Sequence, residues 1–347
     1  MTSGYFRETY RDDIRIFQTF FVKFWLVVLF VAMLTFPFFA SKYHFYLANL
    51  SGIAVIGALG INLLTGYTGQ VSLGQAAFLA IGAYTTAIVS SRLGIPFWIA
   101  LPFSGLIAAI SGLMIGIPSL RLRGLYLVIT TLAFQFIVEH VIYRWTGMTN
   151  GDAGISLPAP SIGGFNIDSD KRFYLFIMPI VVLAVMAMKN ITRTRVGRAF
   201  QAIRDRDITA ETMGIQLGKY KLLSFVVSSF YAGVAGGVYA YYMNYISPDH
   251  FNLMVSIQYI AMIIVGGMGS ILGSIFGAIF IILLPEGLGI LTRTLGDYFP
   301  AFTTRFGDVK GVVYGMVIMG FLIYEPGGLY GSWLRVKTYF KTYPFTY

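Results

Sequence analysis

The sequence predicts an all-α integral membrane protein, a polytopic bundle of about ten transmembrane helices with both termini cytoplasmic. Three observations predict it: a composition suited to lipid, apolar runs of bilayer length, and positive charge gathered into a few connections. Of 347 residues, 56% are apolar and only 12% charged, against roughly 45–50% and about 25% in ordinary globular proteins. So few charges cannot cover a surface that faces water. The net charge of +10 does not point to nucleic acid, because the Lys and Arg residues sit between apolar runs, where they set membrane orientation.

A helix crosses the hydrocarbon layer in about 20 residues. Apolar runs at 20–39, 45–64, 73–90, 95–117, 125–142, 173–188, 222–243, 256–267, 271–284 and 309–324 meet or approach that length. The eighth and ninth are short and rich in Gly, so eight full spans plus a broken or re-entrant hairpin is the alternative. With the N-terminus inside and ten crossings, 17 of the 25 Lys and Arg residues fall on the cytoplasmic side and 8 outside, as the positive-inside rule requires. An odd number of crossings weakens that bias. The expected organisation is a cytoplasmic arm 1–19, one transmembrane domain 20–325 and a cytoplasmic tail 326–347. Connections 143–172 and 285–308 lie outside, and 189–221 lies inside. No cleavable leader is expected, since the first run is too long, follows a charged stretch and lacks a small-residue cleavage site.

What the chain lacks narrows its chemistry. There is no Cys, and His44, His140 and His250 are far apart, so no metal or thiol site is expected. The phosphate-cradling G-x-x-x-x-G-K-[ST] loop, H-E-x-x-H and G-x-S-x-G are missing, which argues against an enzyme and against ATP binding by this chain. No span carries a deep carboxylate, which weighs against a proton-coupled carrier. Glu139 and His140 sit near Arg144 at the outer boundary, where interfacial pairing is expected, and Glu286 follows Pro285 at an expected helix end.

Three features remain as candidate sites. Gly269, Gly273 and Gly277 share one helical face, and Gly112/Gly116, Gly233/Gly237 and Gly311/Gly315 repeat the spacing. In lipid, small residues let helices approach closely; the faces serve tight packing or sliding during gating. A polar break, residues 65–75, carries Thr65, Thr68, Gln70, Ser72 and Gln75 among glycines, and Gly266-Gly-Met-Gly-Ser-Ile-Leu-Gly273 echoes it weakly. It is either a solvated turn or a discontinuous element near the pathway, because irregular backbone at membrane depth survives only where protein or a water-filled cavity satisfies it. Finally, in residues 195–215, Asp207 or Thr209 can cap a short helix ending at Gly214. That helix offers Ile208, Ala210 and Met213 as a small apolar knob among Arg and Asp residues, a docking element for a cytoplasmic partner or, alternatively, a membrane-surface helix.

Several segments resemble the LivM-type permeases of branched-chain amino acid ABC importers. They are Gly66-Tyr-Thr-Gly-Gln-Val-Ser-Leu-Gly-Gln-Ala-Ala-Phe, Leu120-Arg-Leu-Arg-Gly-Leu-Tyr, Arg198-Ala-Phe-Gln-Ala-Ile-Arg-Asp, Ala210-Glu-Thr-Met-Gly-Ile, Lys219-Tyr-Lys-Leu-Leu-Ser-Phe and Ile264-Val-Gly-Gly-Met-Gly-Ser, in order along residues 45–325. The resemblance implies a bacterial inner-membrane permease that shares its pathway with a homologous LivH-type permease. Two cytoplasmic ABC ATPases bind the ATP and Mg, and a periplasmic protein delivers the substrate. It implies coupling to the ATPases through Arg198, Ile203, Arg204, Ile208, Ala210, Glu211, Met213 and Gly214. Ala210 and Gly214 keep the spacing of the E-A-A-x-x-x-G element, while Ile208 and Thr209 replace its leading Glu and Ala. Thr68, Gln70, Ser72, Gln75 and Thr85 are the expected pathway residues. A urea or short-amide importer permease shares these signatures, and a stand-alone channel or a secondary carrier is the reading from another class.

Overall fold

A computed structural model describes residues 20–122, 124–162, 165–296, 312, 315–321, 323–325 and 327–342. The expected arm 1–19, the stretch 297–308 of the second outer connection, and Gly311 lie outside the described residues. The chain forms two compact units, Met1–Tyr46 and Leu47–Tyr347. In the first, α1 (Phe20–Phe39) holds Pro37 in its last turn, and Phe36 meets Phe45 edge-on at 5.7 Å between ring centres.

The second unit holds the bundle. Helix α2 (Lys42–Ile61) enters it and widens into a π-helical turn, Asn62–Tyr67. Then come α3 (Gln75–Leu93), α4 (Phe97–Ser119) and α5 (Leu125–Arg144). The next connection contains α6 (Thr146–Thr149), β1 (Ile155–Ser156), β2 (Ser161–Ile162) and β3 (Phe165–Asn166). Beyond it lie α7 (Asp170–Arg193), α8 (Arg195–Asp205), α9 (Asp207–Thr212), α10 (Leu217–Met243) and β4 (Tyr245–Ile246). A 3₁₀ turn, Pro248–Phe251, leads to α11 (Leu253–Gly266), then α12 (Ile271–Gly296) and α13 (Gly328–Thr342). Among the described residues, 8 helices are long and apolar enough to cross a membrane. They match the second to ninth expected runs. Helix α1 covers the first, and of the tenth, residues 315–321 are helical. The chain is a multi-pass membrane protein.

The ninth run is longer than expected. Pro285 was the expected end, yet α12 continues through it for 26 residues in all, so Glu286 is inside a helix rather than at its end. Proline removes one backbone donor, and membrane helices tolerate it where neighbours re-satisfy the freed carbonyl. The eighth run is completed by the 3₁₀ turn, giving 19 residues over Pro248–Gly266. Helix α8 was not expected as a separate element. At the C-terminal end of α5, Glu139, His140 and Arg144 form no ion pair with one another among the described residues; Tyr143 instead donates to Asp249 Oδ1 at 2.7 Å.

Small residues place α10 in a slot between α3 and α4. A side chain on Gly82 would collide with the Gly233 backbone, and one on Gly233 would stand 2.7 Å from the Ser104 carbonyl. Lipid gives helices no hydrophobic drive to associate, so such backbone-to-backbone contact supplies the dispersion that holds them. Among the expected glycines, Gly112, Gly116, Gly233 and Gly237 pack in this slot, and Gly273 and Gly277 pack against Gly266 of α11. Gly269 is different. It is not on the α12 face but in the turn before it, at φ +76°, a conformation glycine adopts at little cost.

Connections assigned to one side by charge meet one another. At one end the 62–75 break, the 120–127 connection, α8–α9 and Lys221 adjoin. At the other, β1 pairs with β4 in antiparallel register, Ile155 opposite Ile246 and Ser156 opposite Tyr245, and Gln135 donates to the Phe251 carbonyl at 2.7 Å.

Candidate functional site

The polar side chains of the break are buried and bonded to protein, while Gly69 and Val71 stay exposed, so it is a discontinuous element rather than a fully solvated turn. Its two threonines build the π-helical turn. Thr68 Oγ1 donates to the Leu63 and Leu64 carbonyls at 2.9 and 2.7 Å, and Thr65 Oγ1 to the Gln70 carbonyl at 3.1 Å. π-helical turns recur at functional sites; here the hydroxyls reinforce backbone bonds such as Gln70 N–H to the Leu64 carbonyl at 3.0 Å. Gly69, at φ +73°, then turns the chain toward α3.

The start of α3 draws on three other helices. Leu73 N–H donates to Thr131 Oγ1 of α5 at 3.0 Å, and Ala76 N–H to Ser256 Oγ of α11 at 2.8 Å. Ser72 Oγ accepts from Gly74 N–H at 3.2 Å, and Gln75 Nε2 donates to the Gly57 carbonyl of α2 at 3.0 Å. The opening amides of a helix have no internal partner, and buried polar groups without one cost about 1–3 kcal/mol each. Thr131, Ser256 and Ser72 therefore fix where α3 begins. Gln70 Nε2 donates to Ser224 Oγ of α10 at 2.7 Å. Four of the expected pathway residues, Thr68, Gln70, Ser72 and Gln75, are thus buried and bonded within the break in this conformation. Thr85 is half-buried further along α3.

The weak echo in the sequence lies beside its counterpart. Gly266-Gly-Met-Gly-Ser270 forms a second break between α11 and α12, and Asn62 stitches the two together. Its Nδ2 donates to the Ser270 carbonyl at 2.8 Å and to Ser274 Oγ at 2.6 Å, and its Oδ1 accepts from Gly269 N–H at 2.9 Å. One amide side chain thereby uses nearly its whole bonding capacity on residues more than 200 positions away. Ser270 Oγ in turn accepts from Gly273 N–H at 3.1 Å. Asn62, Ser270 and Ser274 were missed in the sequence, although an Asn inside an apolar run was a visible signal.

The segment between α7 and α10 lies against this node. Helix α8 buries Ala199, Phe200 and Ile203, while Arg198 is exposed and donates to the Arg193 carbonyl at 3.4 Å. Arg204 Nη1 donates to the Gly66 carbonyl at 2.7 Å. Asp207 opens α9 with Oδ1 accepting from Ile208 N–H at 2.9 Å, and its carboxylate lies 3.6 Å from Lys221 Nζ. Gly214 ends the turn at φ +84°. Ile208 and Met213 are 67% and 80% exposed, whereas Ala210 is 3% exposed. The knob is therefore Ile208 with Met213. Ala210 faces inward, a correction that follows because six residues of helix leave the phase open until packing sets it. Glu211 is exposed beside them. A groove of about 550 Å³ separates α8–α9 from the break, lined in part by Thr68, Gln70, Leu127, Arg204 and Thr209. Among the described residues, no group of three or more His, Asp or Glu side chains could hold a metal ion.

Comparison with known proteins agrees with this architecture. A family model described as the permease component of branched-chain amino acid transport systems matches residues 43–322. The high-affinity branched-chain amino acid permease protein LivM of Escherichia coli (strain K12) is 32% identical over 88% of this chain and 74% of its own length. The same-named protein of Salmonella typhimurium is 31% identical over the same shares. A probable LivH permease of Methanocaldococcus jannaschii is 30% identical over 84% of this chain and 93% of its own. No solved structure matches at a significant level. With the match covering most of the bundle and both breaks, the chain belongs to the branched-chain amino acid transport permease family.

Proposed function

We propose that this chain is one permease of an ATP-driven ABC importer of branched-chain amino acids, sharing the pathway with a homologous LivH-type permease. Its termini face the cytoplasm of a bacterial inner membrane, one of two ATPases docks on α9, and a periplasmic binding protein delivers the cargo. The family match over residues 43–322 carries this reading, since relatives of both the LivM and LivH kinds are found. Two features of the chain support it. It has no phosphate-cradling loop, so the energy comes from another subunit. It also sets two exposed apolar side chains, Ile208 in a short helix and Met213 directly after it, beside the membrane breaks.

ATP-driven movement of the docked subunits shifts α8–α9, and the breaks part as helices rock between two states. When they part, Thr68, Gln70, Ser72 and Gln75 release hydrogen-bonding atoms toward the cargo, with Thr85 further along the same route. Neutral amides and hydroxyls pass a zwitterion without holding it, and the binding protein supplies selectivity. The test is uptake of labelled leucine into vesicles. The full assembly accumulates it with ATP, the chain alone moves nothing uphill, and Ile208→Asp with Met213→Asp abolishes co-purification of the ATPases. Uphill transport by the chain alone would overturn the reading.

A further inference from the structure

Arg204 is exposed at the end of α8, yet its side chain is engaged with the bundle. Its guanidinium reaches inward from the last turn of α8 to the Gly66 carbonyl, 2.7 Å away. It also lies against the second break, where a side chain on Gly269 would strike Nη1. Gly66 belongs to the same π-helical turn as Asn62, and Asn62 is bonded to Gly269, Ser270 and Ser274. A continuous hydrogen-bonded chain therefore runs from α8 through Arg204 to the first break, and through Asn62 to the second and into α12. A second tether, the ion pair of Asp207 with Lys221, is longer at 3.6 Å and ties α9 to α10 instead.

From this geometry we propose that Arg204 is the residue that transmits movement of α8–α9 to both membrane breaks, and that it takes no part in gripping the ATPase. The proposal rests on the importer reading given above. Helix α8 is suited to the task because its buried face, Ala199, Phe200 and Ile203, makes it move as a body. Arg is suited because its charge is permanent and its planar fork offers several donors in fixed geometry. A lysine ammonium offers a single mobile point charge on a flexible stem. A carbonyl accepting from a charged donor is the strongest link in such a chain, so pulling on α8 displaces the π-helical turn before the bond yields.

The test compares the parent, Arg204→Lys and Arg204→Ala in the full assembly of permeases, ATPases and binding protein. Two readouts serve: uptake per ATP hydrolysed, and hydrogen exchange of backbone amides with and without a non-hydrolysable ATP analogue. In the parent, nucleotide changes exchange at 195–214 and also at 62–70 and 266–274. In Arg204→Ala the ATPases stay bound in parental amount, the nucleotide effect stops at 195–214, and uptake per ATP falls by about tenfold or more. Arg204→Lys falls between. Loss of ATPase binding in Arg204→Ala, or a nucleotide effect that reaches both breaks as in the parent, overturns the proposal alone. A parent chain that binds no ATPase or shows no nucleotide effect anywhere overturns the importer reading and the proposal with it.

Discussion

A single side chain, Asn62, joins two segments that the sequence separates by some 200 residues, and its bonds set what a substitution there must do. Asn62→Leu keeps the volume close but strands Gly269 N–H and removes the Asn62 bonds to the Ser270 carbonyl and Ser274 Oγ, which keep a bond to each other. An unsatisfied buried group costs about 1–3 kcal/mol in water-soluble proteins, while interhelical hydrogen bonds in membranes average about 0.6 kcal/mol. The expected loss is therefore about 2 kcal/mol, read as a lowered unfolding midpoint of the purified protein in detergent. Asn62→Asp retains the acceptor for Gly269 and loses both donors, so it falls below Asn62→Leu in stability if the carboxylate stays charged beside the Ser270 carbonyl. The residue escaped the sequence reading for a physical reason. Polarity inside an apolar run says that a partner exists, but not which of several distant serines and amides it is. Thr65, Thr68 and Ser72 were legible because their partners are local, within five positions.

At the scale of elements, the bundle is held by close approach, and α10 shows how tightly. Gly233 touches Ser104, Gly105 and Ala108 of α4, and Gly82 of α3 meets Gly233 from the other flank. Gly233→Leu cannot be absorbed by a rotamer change, because the atoms it meets include backbone. Overpacking typically costs 1–3 kcal/mol, so a loss of about 3 kcal/mol or more is expected, read as aggregated rather than monodisperse protein after extraction. The eight spans were legible because hydrocarbon demands a minimum apolar length whatever the fold. Their ends were less so. Pro285 read as a terminator by the rules of soluble helices, and the bilayer relaxes those rules. The facing of Ala210 was illegible because α9 has only 6 residues, too few for periodicity to fix a side.

Across the whole molecule, the charge pattern and the contacts between connections tell one story, and the ribbon at the end poorer in Lys and Arg makes it testable. The chain has no Cys, so a pair can be introduced without background. Ser156 and Tyr245 lie directly opposite each other in the β1–β4 pairing, and opposed side chains on such strands stand about 4.5–5.5 Å apart, within small adjustment of disulfide geometry. Ser156→Cys with Tyr245→Cys should form an intrachain disulfide spontaneously in cells if this end faces the oxidising periplasm. A pair that remains reduced until membranes are broken and oxidised would place the end in the cytoplasm and reverse the orientation.

The slot that receives α10 has a consequence for how the molecule comes into being. Helices α3 and α4 leave the ribosome well before residue 217, with backbones already shaped to face a helix that does not yet exist. Until translation reaches Met243, the cleft between them must be filled by lipid tails or by the insertion machinery itself. The bundle therefore cannot mature progressively from its N-terminus. It waits for a late segment to displace a temporary occupant, and a chain stalled short of that point leaves a membrane-embedded intermediate with an unfilled seam for quality-control proteases to find.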